Sequence, residues 1–272
     1  MGHDGQFLTL SLSIAYGKRP PIFRDFCLEM RRGEILGLVG GSGCGKSTLA
    51  LAILRLLDTR GATVSGSINF NGRDLLSLSE RQMRHVRGRE IGLVLQSPMS
   101  SLNPMLRIGR QMREAWRAHR PDSSGEAEIA TALRNVDLPH GSDFLKRYPS
   151  EISVGQAQRV LIAMAILHGP GLLIADEPTS ALDAITQIGA LELFRSINKQ
   201  SGNSILLISH DLAAVESICD RIAVLYEGKI VECHASKDMV SLASHPYTQA
   251  LFQGRARASQ ETHRAAAAST ST

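Results

Sequence analysis

Short, uninterrupted apolar runs recur along the chain, separated by stretches with apolar residues at every third or fourth position. Runs at residues 35–39, 91–95, 172–175 and 205–208 are typical of strands buried on both faces. Residues 46–57 have helical periodicity and follow the first run after a glycine-rich loop. Because strands and helices alternate, the pattern predicts an α/β fold with a largely parallel sheet.

Two further regions predict antiparallel β structure. Residues 7–15 alternate between apolar and polar side chains, and residues 67–70 predict a second strand that ends at a turn. Together they indicate an N-terminal antiparallel β subdomain. Residues 222–225 and 229–232 predict a hairpin, because a Glu-Gly turn separates them.

A long helical stretch interrupts the predicted sheet. Residues 97–169 have apolar side chains at helical spacing, with a polar break at residues 121–125. We therefore expect an α-helical subdomain inserted into a single domain that spans residues 1–253. Residues 254–272 are rich in Ala, Ser and Thr, and we expect a disordered tail there.

Composition narrows the choice of environment and partners. Lys and Arg number 30 and Asp and Glu 26, and a net charge of only +4 gives no reason to expect nucleic acid. The four cysteines form no Cys-x-x-Cys pair, which argues against zinc or iron–sulfur sites. Neither a signal segment nor an apolar run of roughly 20 residues is found. We expect a cytoplasmic protein that reaches membranes only through partners.

A glycine-rich loop after the first buried strand matches the pattern G-x-x-x-x-G-K-[ST]. Glycines let the backbone N–H groups turn toward phosphate oxygens, and the helix that follows adds its positive N-terminal end. Lys46 is expected to reach the β- and γ-phosphates, and Ser47 to offer its hydroxyl to Mg²⁺. The candidate nucleotide-binding residues of this loop are Gly40, Gly41, Ser42, Gly43, Cys44, Gly45, Lys46, Ser47 and Thr48.

Two carboxylates follow the apolar run at residues 172–175. In an open α/β sheet, the carboxyl end of a strand faces the ligand crevice. Asp176 is therefore a candidate Mg²⁺ ligand, and Glu177 a candidate for polarising the attacking water. An acidic pair that merely caps a strand is the alternative, and the loop upstream argues against it.

Residues 152–156, Ile-Ser-Val-Gly-Gln, lie between the loop and Asp176 and resemble the Leu-Ser-Gly-Gly-Gln signature of ABC transporter ATP-binding subunits. The resemblance covers roughly residues 6–253 and implies a P-loop NTPase core. It implies that Tyr16 stacks on the adenine ring. It also implies that Gln96 contacts Mg²⁺ and the attacking water. It also implies a γ-phosphate switch at His210. Residues implied to act across a subunit interface are Ser153, Gly155, Gln156 and Asp183.

The resemblance also implies partners. ATP bound at Lys46 of one chain would be closed by Ser153 and Gly155 of a second ATP-binding subunit, identical or, more in keeping with the subfamily, related. Two membrane permeases and, indirectly, a substrate-binding protein complete such a transporter. The expected location is peripheral, on the cytoplasmic face of the inner membrane.

Two segments resemble a subfamily that imports dipeptides, oligopeptides and nickel or other metal chelates. They are residues 97–104 and residues 244–251, the latter within a C-terminal segment at about 233–253. The absence of cysteine after Cys233 slightly favours shorter, nickel-type members. The helical insert is expected to dock on a permease through an apolar patch that involves Met105, Leu106 and Ile108, and packing in the core of the insert is an equal alternative for each of them.

Val154 departs from the signature, because the family usually has glycine there. A β-branched residue adopts positive φ only at a cost, so the loop either keeps its function with the side chain turned away or forms a weakened lid. Two alternatives to transport stay open: a DNA-repair ATPase, although no sustained heptads occur, and a weakly hydrolysing regulatory subunit, although Glu177 and His210 are present.

Overall fold

The computed structural model describes residues 6–17, 19–57 and 61–253. Its strands are β1 (Gln6–Tyr16), β2 (Phe23–Arg31), β3 (Ile35–Gly40), β4 (Ala62–Phe70), β5 (Arg73–Asp74), β6 (Ile91–Val94), β7 (Leu172–Asp176), β8 (Ser204–Ile208), β9 (Arg221–Tyr226) and β10 (Lys229–Ala235). Its helices are α1 (Lys46–Ile53), α2 (Glu80–Val86), α3 (Pro98–Ser101), α4 (Ile108–Arg117), α5 (Glu126–Arg134), α6 (Ser142–Leu145), α7 (Val154–Ile166), α8 (Ala184–Ser201), α9 (Leu212–Ile218) and α10 (Met239–Leu242). Residues 246–253 are also helical, and the predicted tail at residues 254–272 lies outside the described residues.

A six-stranded sheet forms the centre of the fold, in the order β10-β9-β3-β8-β7-β6. Pairing is parallel from β9 through β6, whereas β9 and β10 form an antiparallel hairpin. β3, β7 and β8 are buried at every position, as expected for strands covered on both faces. Because parallel strands end at the same edge, β3, β6, β7 and β8 bring the residues that follow them together.

A smaller antiparallel sheet, ordered β2-β1-β4-β5, packs beside the central sheet. Buried and exposed positions alternate along β2, which turns Phe23, Phe26, Leu28 and Met30 inward. These residues share one apolar cluster with Leu36 of β3. The N-terminal sheet is thereby fixed against the strand that leads into the phosphate loop.

The chain between β6 and β7 is helical. Ile108, Met112 and Trp116 recur at every fourth position of α4 and are buried together. They belong to the same apolar cluster as Val160 of α7. The predicted α/β fold, with a mostly parallel sheet, an antiparallel N-terminal sheet and an inserted helical region, is confirmed.

Some local predictions were wrong. The helix expected at residues 46–57 ends at Ile53, because Arg55 adopts a left-handed φ of 52° and the Leu56 N–H bonds the Leu51 carbonyl at 2.8 Å. Ile108 is completely buried, so it cannot belong to an exposed docking patch, whereas Met105 is 81% exposed. β2, α2, α8 and α9 were not predicted.

Among the described ranges, no helix combines the length and the apolar character that crossing a membrane requires.

Candidate functional site

The phosphate loop joins β3 to α1 through residues 41–45, and its shape depends on glycines. Gly43 and Gly45 have φ values of 78° and 104°, which side-chain-bearing residues rarely adopt. A Cβ on Gly45 would also lie 2.7 Å from the Phe23 ring and 2.8 Å from Ile22 Cγ2. The N-terminal sheet therefore presses directly on the loop at Gly45.

Lys46 is 7% exposed and folds back over the loop. Its Nζ donates hydrogen bonds to the Gly40 carbonyl at 2.8 Å and to the Gly41 carbonyl at 3.0 Å. These bonds place a positive charge at the entrance to α1. A phosphate there would meet both the ammonium group and the N-terminal end of the helix.

Asp176 ends β7 beside Ser47. It is 7% exposed, and its buried Oδ1 atom has no hydrogen-bond partner in the described part of the chain. Burial raises the pKa of this carboxyl group, the adjacent Ser47 hydroxyl lowers it, and the Glu177 charge raises it further. A carboxylate so placed favours a nearby cation.

Glu177 and His210 form a close pair across the ends of β7 and β8. Glu177 Oε2 lies 2.6 Å from His210 Nδ1, and the Glu177 side chain is 12% exposed. The Glu177 backbone has a left-handed φ of 50°, held by a bond from its N–H to the Ile208 carbonyl at 2.9 Å. The carboxylate is therefore oriented by both its backbone and the imidazole.

A cleft of about 370 Å³ opens between the phosphate loop and this pair. Its lining residues are Ser42, Gly43, Gly45, Lys46, Ser47, Thr48, Gln96, Glu177 and His210. All of them were candidates from the sequence, and the fold collects them from four separate strand ends. Tyr16, at the end of β1, does not line this cleft. Its side chain is half-buried and packs, as Cys44 does, against the apolar cluster of the N-terminal sheet.

The signature residues form the start of α7, away from the cleft lining. Ser153 caps the helix: its Oγ accepts from the Gln156 N–H at 3.2 Å, and its own N–H donates to Gln156 Oε1 at 3.1 Å. Val154 is the first helical residue, does not have positive φ, and is 42% exposed. Valine therefore carries no positive-φ cost at this position.

Gly155 packs against the start of α8. A Cβ on Gly155 would lie 2.7 Å from Thr186 Cγ2, and the Thr186 hydroxyl donates to Asp183 Oδ2 at 2.7 Å. Asp183 also caps α8 by accepting from the Ile185 and Thr186 N–H groups. Thr186 thus connects two of the predicted interface motifs within one chain, a contact that the sequence did not reveal.

Residues 23–180 match the family model described as ABC transporter. The chain belongs to the ABC transporter family. Its ATP-binding subunits are ATPases coupled to transport, and this chain is such a subunit. The comparisons support this interpretation over the DNA-repair and regulatory alternatives.

Relatives within the ABC transporter family have peptide-related names. A probable peptide ABC transporter ATP-binding protein of Sinorhizobium fredii is 47% identical over 82% of this chain and 68% of its own. The dipeptide transport ATP-binding protein of Bacillus subtilis is 41% identical over 87% of this chain and 72% of its own. The oligopeptide transport ATP-binding protein of Salmonella typhimurium is 41% identical over 87% of this chain and 71% of its own.

A solved ABC transporter subunit has the same fold. The structure of cbiO1 from Clostridium perfringens, part of the transporter complex cbiONQ, superposes with a TM-score of 0.75. The match covers 88% of this chain and 92% of the other at 24% identity, so the likeness concerns the fold.

Proposed function

We propose that this ABC transporter subunit hydrolyses ATP to energise peptide import, acting peripherally on the cytoplasmic face of the inner membrane. The observation that carries the catalytic part is the Glu177–His210 contact of 2.6 Å, which faces the phosphate loop across one cleft. The peptide-related names of the relatives favour peptides as cargo over nickel or metal chelates.

The loop and the pair have separate tasks in this proposal. Lys46 and the loop N–H groups bind the β- and γ-phosphates, and Glu177 accepts a hydrogen bond from the attacking water and aims it at the γ-phosphorus. His210 restrains Glu177 and senses the γ-phosphate, and Gln96 faces the same water. Positioning and electrostatic stabilisation supply most of the catalysis in phosphoryl transfer.

The described residues fit Mg²⁺. Asp176 offers a buried oxygen without a hydrogen-bond partner, and the Ser47 hydroxyl lies next to it. Oxygen ligands of this kind suit Mg²⁺, which when bound would neutralise charge on the phosphates. Asp176 and Ser47 would hold the ion, with Gln96 nearby.

A second ATP-binding subunit completes the site in this proposal. Ser153, Gly155 and Gln156 lie at the start of α7 and do not line the cleft of their own chain. Exposed apolar side chains at Val154 and Ile185 flank this surface and suit burial against a partner. This second subunit would place its own signature residues over the ATP bound at Lys46.

Two membrane permeases and a substrate-binding protein are the remaining proposed partners. The helical region between β6 and β7 presents Met105 as its most exposed large apolar side chain among the described residues. This side chain would enter the permease contact. Cross-linking from position 105 to a co-purified permease, with Val240 as an exposed apolar control on α10, tests the contact.

The decisive experiment uses the assembled transporter purified through a tag on this chain. Glu177→Gln retains the shape of the side chain and removes the carboxylate, so we expect ATP hydrolysis to fall by about 10²–10⁴-fold while ATP binding persists. Wild-type hydrolysis should rise when binding protein loaded with peptide is added, and not with nickel chelate. Failure of the wild-type complex to bind ATP with magnesium would refute the proposal.

A further inference from the structure

The segment Ser244–Thr248, Ser-His-Pro-Tyr-Thr, marks the subfamily in the sequence and has no task in the mechanism above. In the structure it reaches the phosphate loop. The Tyr247 hydroxyl oxygen lies 3.3 Å from the point where a Cβ on Gly41 would stand. Gly41 is the first loop residue after β3, and its carbonyl accepts a bond from Lys46 Nζ at 3.0 Å.

A buried carboxylate holds this segment in place. Glu232 of β10 is 7% exposed, and its Oε1 atom accepts from the Ser244 N–H at 2.5 Å, the Ser244 hydroxyl at 2.8 Å and the His245 N–H at 2.9 Å. Burial alone would raise the pKa of Glu232, but the Thr248 hydroxyl and these N–H groups lower it to about 2. The carboxylate is charged, and therefore an acceptor, at every physiological pH.

The Tyr247 ring is also fixed. It stacks on the Tyr226 ring at 4.3 Å between centroids, and the Tyr247 N–H donates to His245 Nδ1 at 3.2 Å. Tyr226 ends β9, and the preceding residue, Leu225, places its carbonyl oxygen 2.4 Å from the position of a Cβ on Gly40. β9 therefore confines Gly40 directly, and it confines Gly41 through the stacked tyrosines.

We propose that Tyr247 is a positioning residue for nucleotide binding. It restrains Gly41, and with it the carbonyl that Lys46 engages, so that the loop presents its N–H groups in the binding geometry before ATP arrives. Preorganisation lowers the free-energy cost of ordering the loop on binding, so its loss weakens ATP affinity more than the chemical step. The inference rests on the proposed ATPase function.

The test compares Tyr247→Phe and Tyr247→Ala with wild type in the assembled transporter. Tyr247→Phe removes the hydroxyl that faces Gly41 and keeps the ring stack, and Tyr247→Ala removes both. We expect Kd and KM for ATP to rise about threefold and about tenfold, respectively, with kcat within twofold of wild type. Gln249→Ala is the control and should leave Kd and KM unchanged, because the Gln249 side chain donates to the Ala243 carbonyl just outside this segment.

A mutant cycle tests whether the effect passes through the contact. Gly41→Ala places a Cβ against the Tyr247 oxygen, so its effect on Kd should be smaller when combined with Tyr247→Phe. Equal ATP affinity in wild type and Tyr247→Phe, or purely additive effects, would overturn the inference, as would a lower Tm with an unchanged KM. If Tyr247→Ala does not fold, Tyr247→Phe decides. Failure of the wild-type transporter to bind ATP would instead refute the proposed function.

Discussion

Replacing Gly155 by alanine tests the packing between the signature helix and α8. The new Cβ would lie 2.7 Å from Thr186 Cγ2, closer than carbon atoms approach without displacement. Thr186 cannot rotate away freely, because its hydroxyl donates to Asp183 Oδ2 at 2.7 Å. Either the two helices separate or this hydrogen bond breaks.

The magnitude follows from two opposing effects. Overpacking of a well-packed contact lowers the free energy of unfolding by about 1–3 kcal/mol. The better helix propensity of alanine offsets at most about 1 kcal/mol of this loss. We therefore expect Gly155→Ala to lower the free energy of unfolding by about 1–2 kcal/mol. Urea denaturation followed by circular dichroism measures the change.

Thr186→Ser provides the matched control, since it deletes only the Cγ2 methyl group and keeps the hydroxyl on Asp183. In that background Gly155→Ala should be neutral or slightly stabilising, which gives a coupling of about 1–3 kcal/mol in a double-mutant cycle. If Gly155→Ala destabilises both backgrounds equally, the clash with Thr186 is not its cause and the reasoning fails.

Two pH-dependent predictions follow from the shifted pKa values. Burial raises the pKa of Asp176, so its charged form destabilises the folded chain above that pKa. Asp176→Asn should therefore raise Tm by about 2–4 °C at neutral pH and by less near pH 4. The same variant should lose ATP hydrolysis with magnesium. An unchanged Tm at both pH values would contradict this. The His168 ring stacks on Trp116 at 4.8 Å between centroids, and burial lowers the pKa of His168 in the folded chain. Below the ordinary histidine pKa of 6.5, the unfolded chain therefore binds more protons than the folded chain. The free energy of unfolding should fall as pH drops from 7 to 5. His168→Phe should flatten that decline in calorimetry; an equally steep decline would show that other groups cause it.

The sequence predicted most of the central sheet because its strands are continuous apolar runs. It predicted the cleft residues because each follows such a strand in a recognisable motif. β2 was missed because an irregular residue at Asp25, which has a left-handed φ of 51°, interrupts the alternation of its apolar residues. The end of α1 was missed because a left-handed Arg55 leaves no compositional trace.

Contacts between motifs were beyond sequence reasoning for a different reason. The proximity of Tyr247 to Gly41, or of Thr186 to Gly155, depends on how distant elements cross, and nothing local encodes it. The glycines at positions 155 and 41 were the available signal, since glycine commonly marks close approach of another segment.

The left-handed backbone at Glu177 has a practical consequence for protein engineering. Glycine or asparagine adopts that conformation more cheaply, so any optimisation of this chain for thermal robustness alone would favour replacing Glu177. Such a variant would survive heating better and lose the carboxylate on which turnover depends. Mutant libraries designed to raise the thermal stability of this protein should therefore keep position 177 as glutamate.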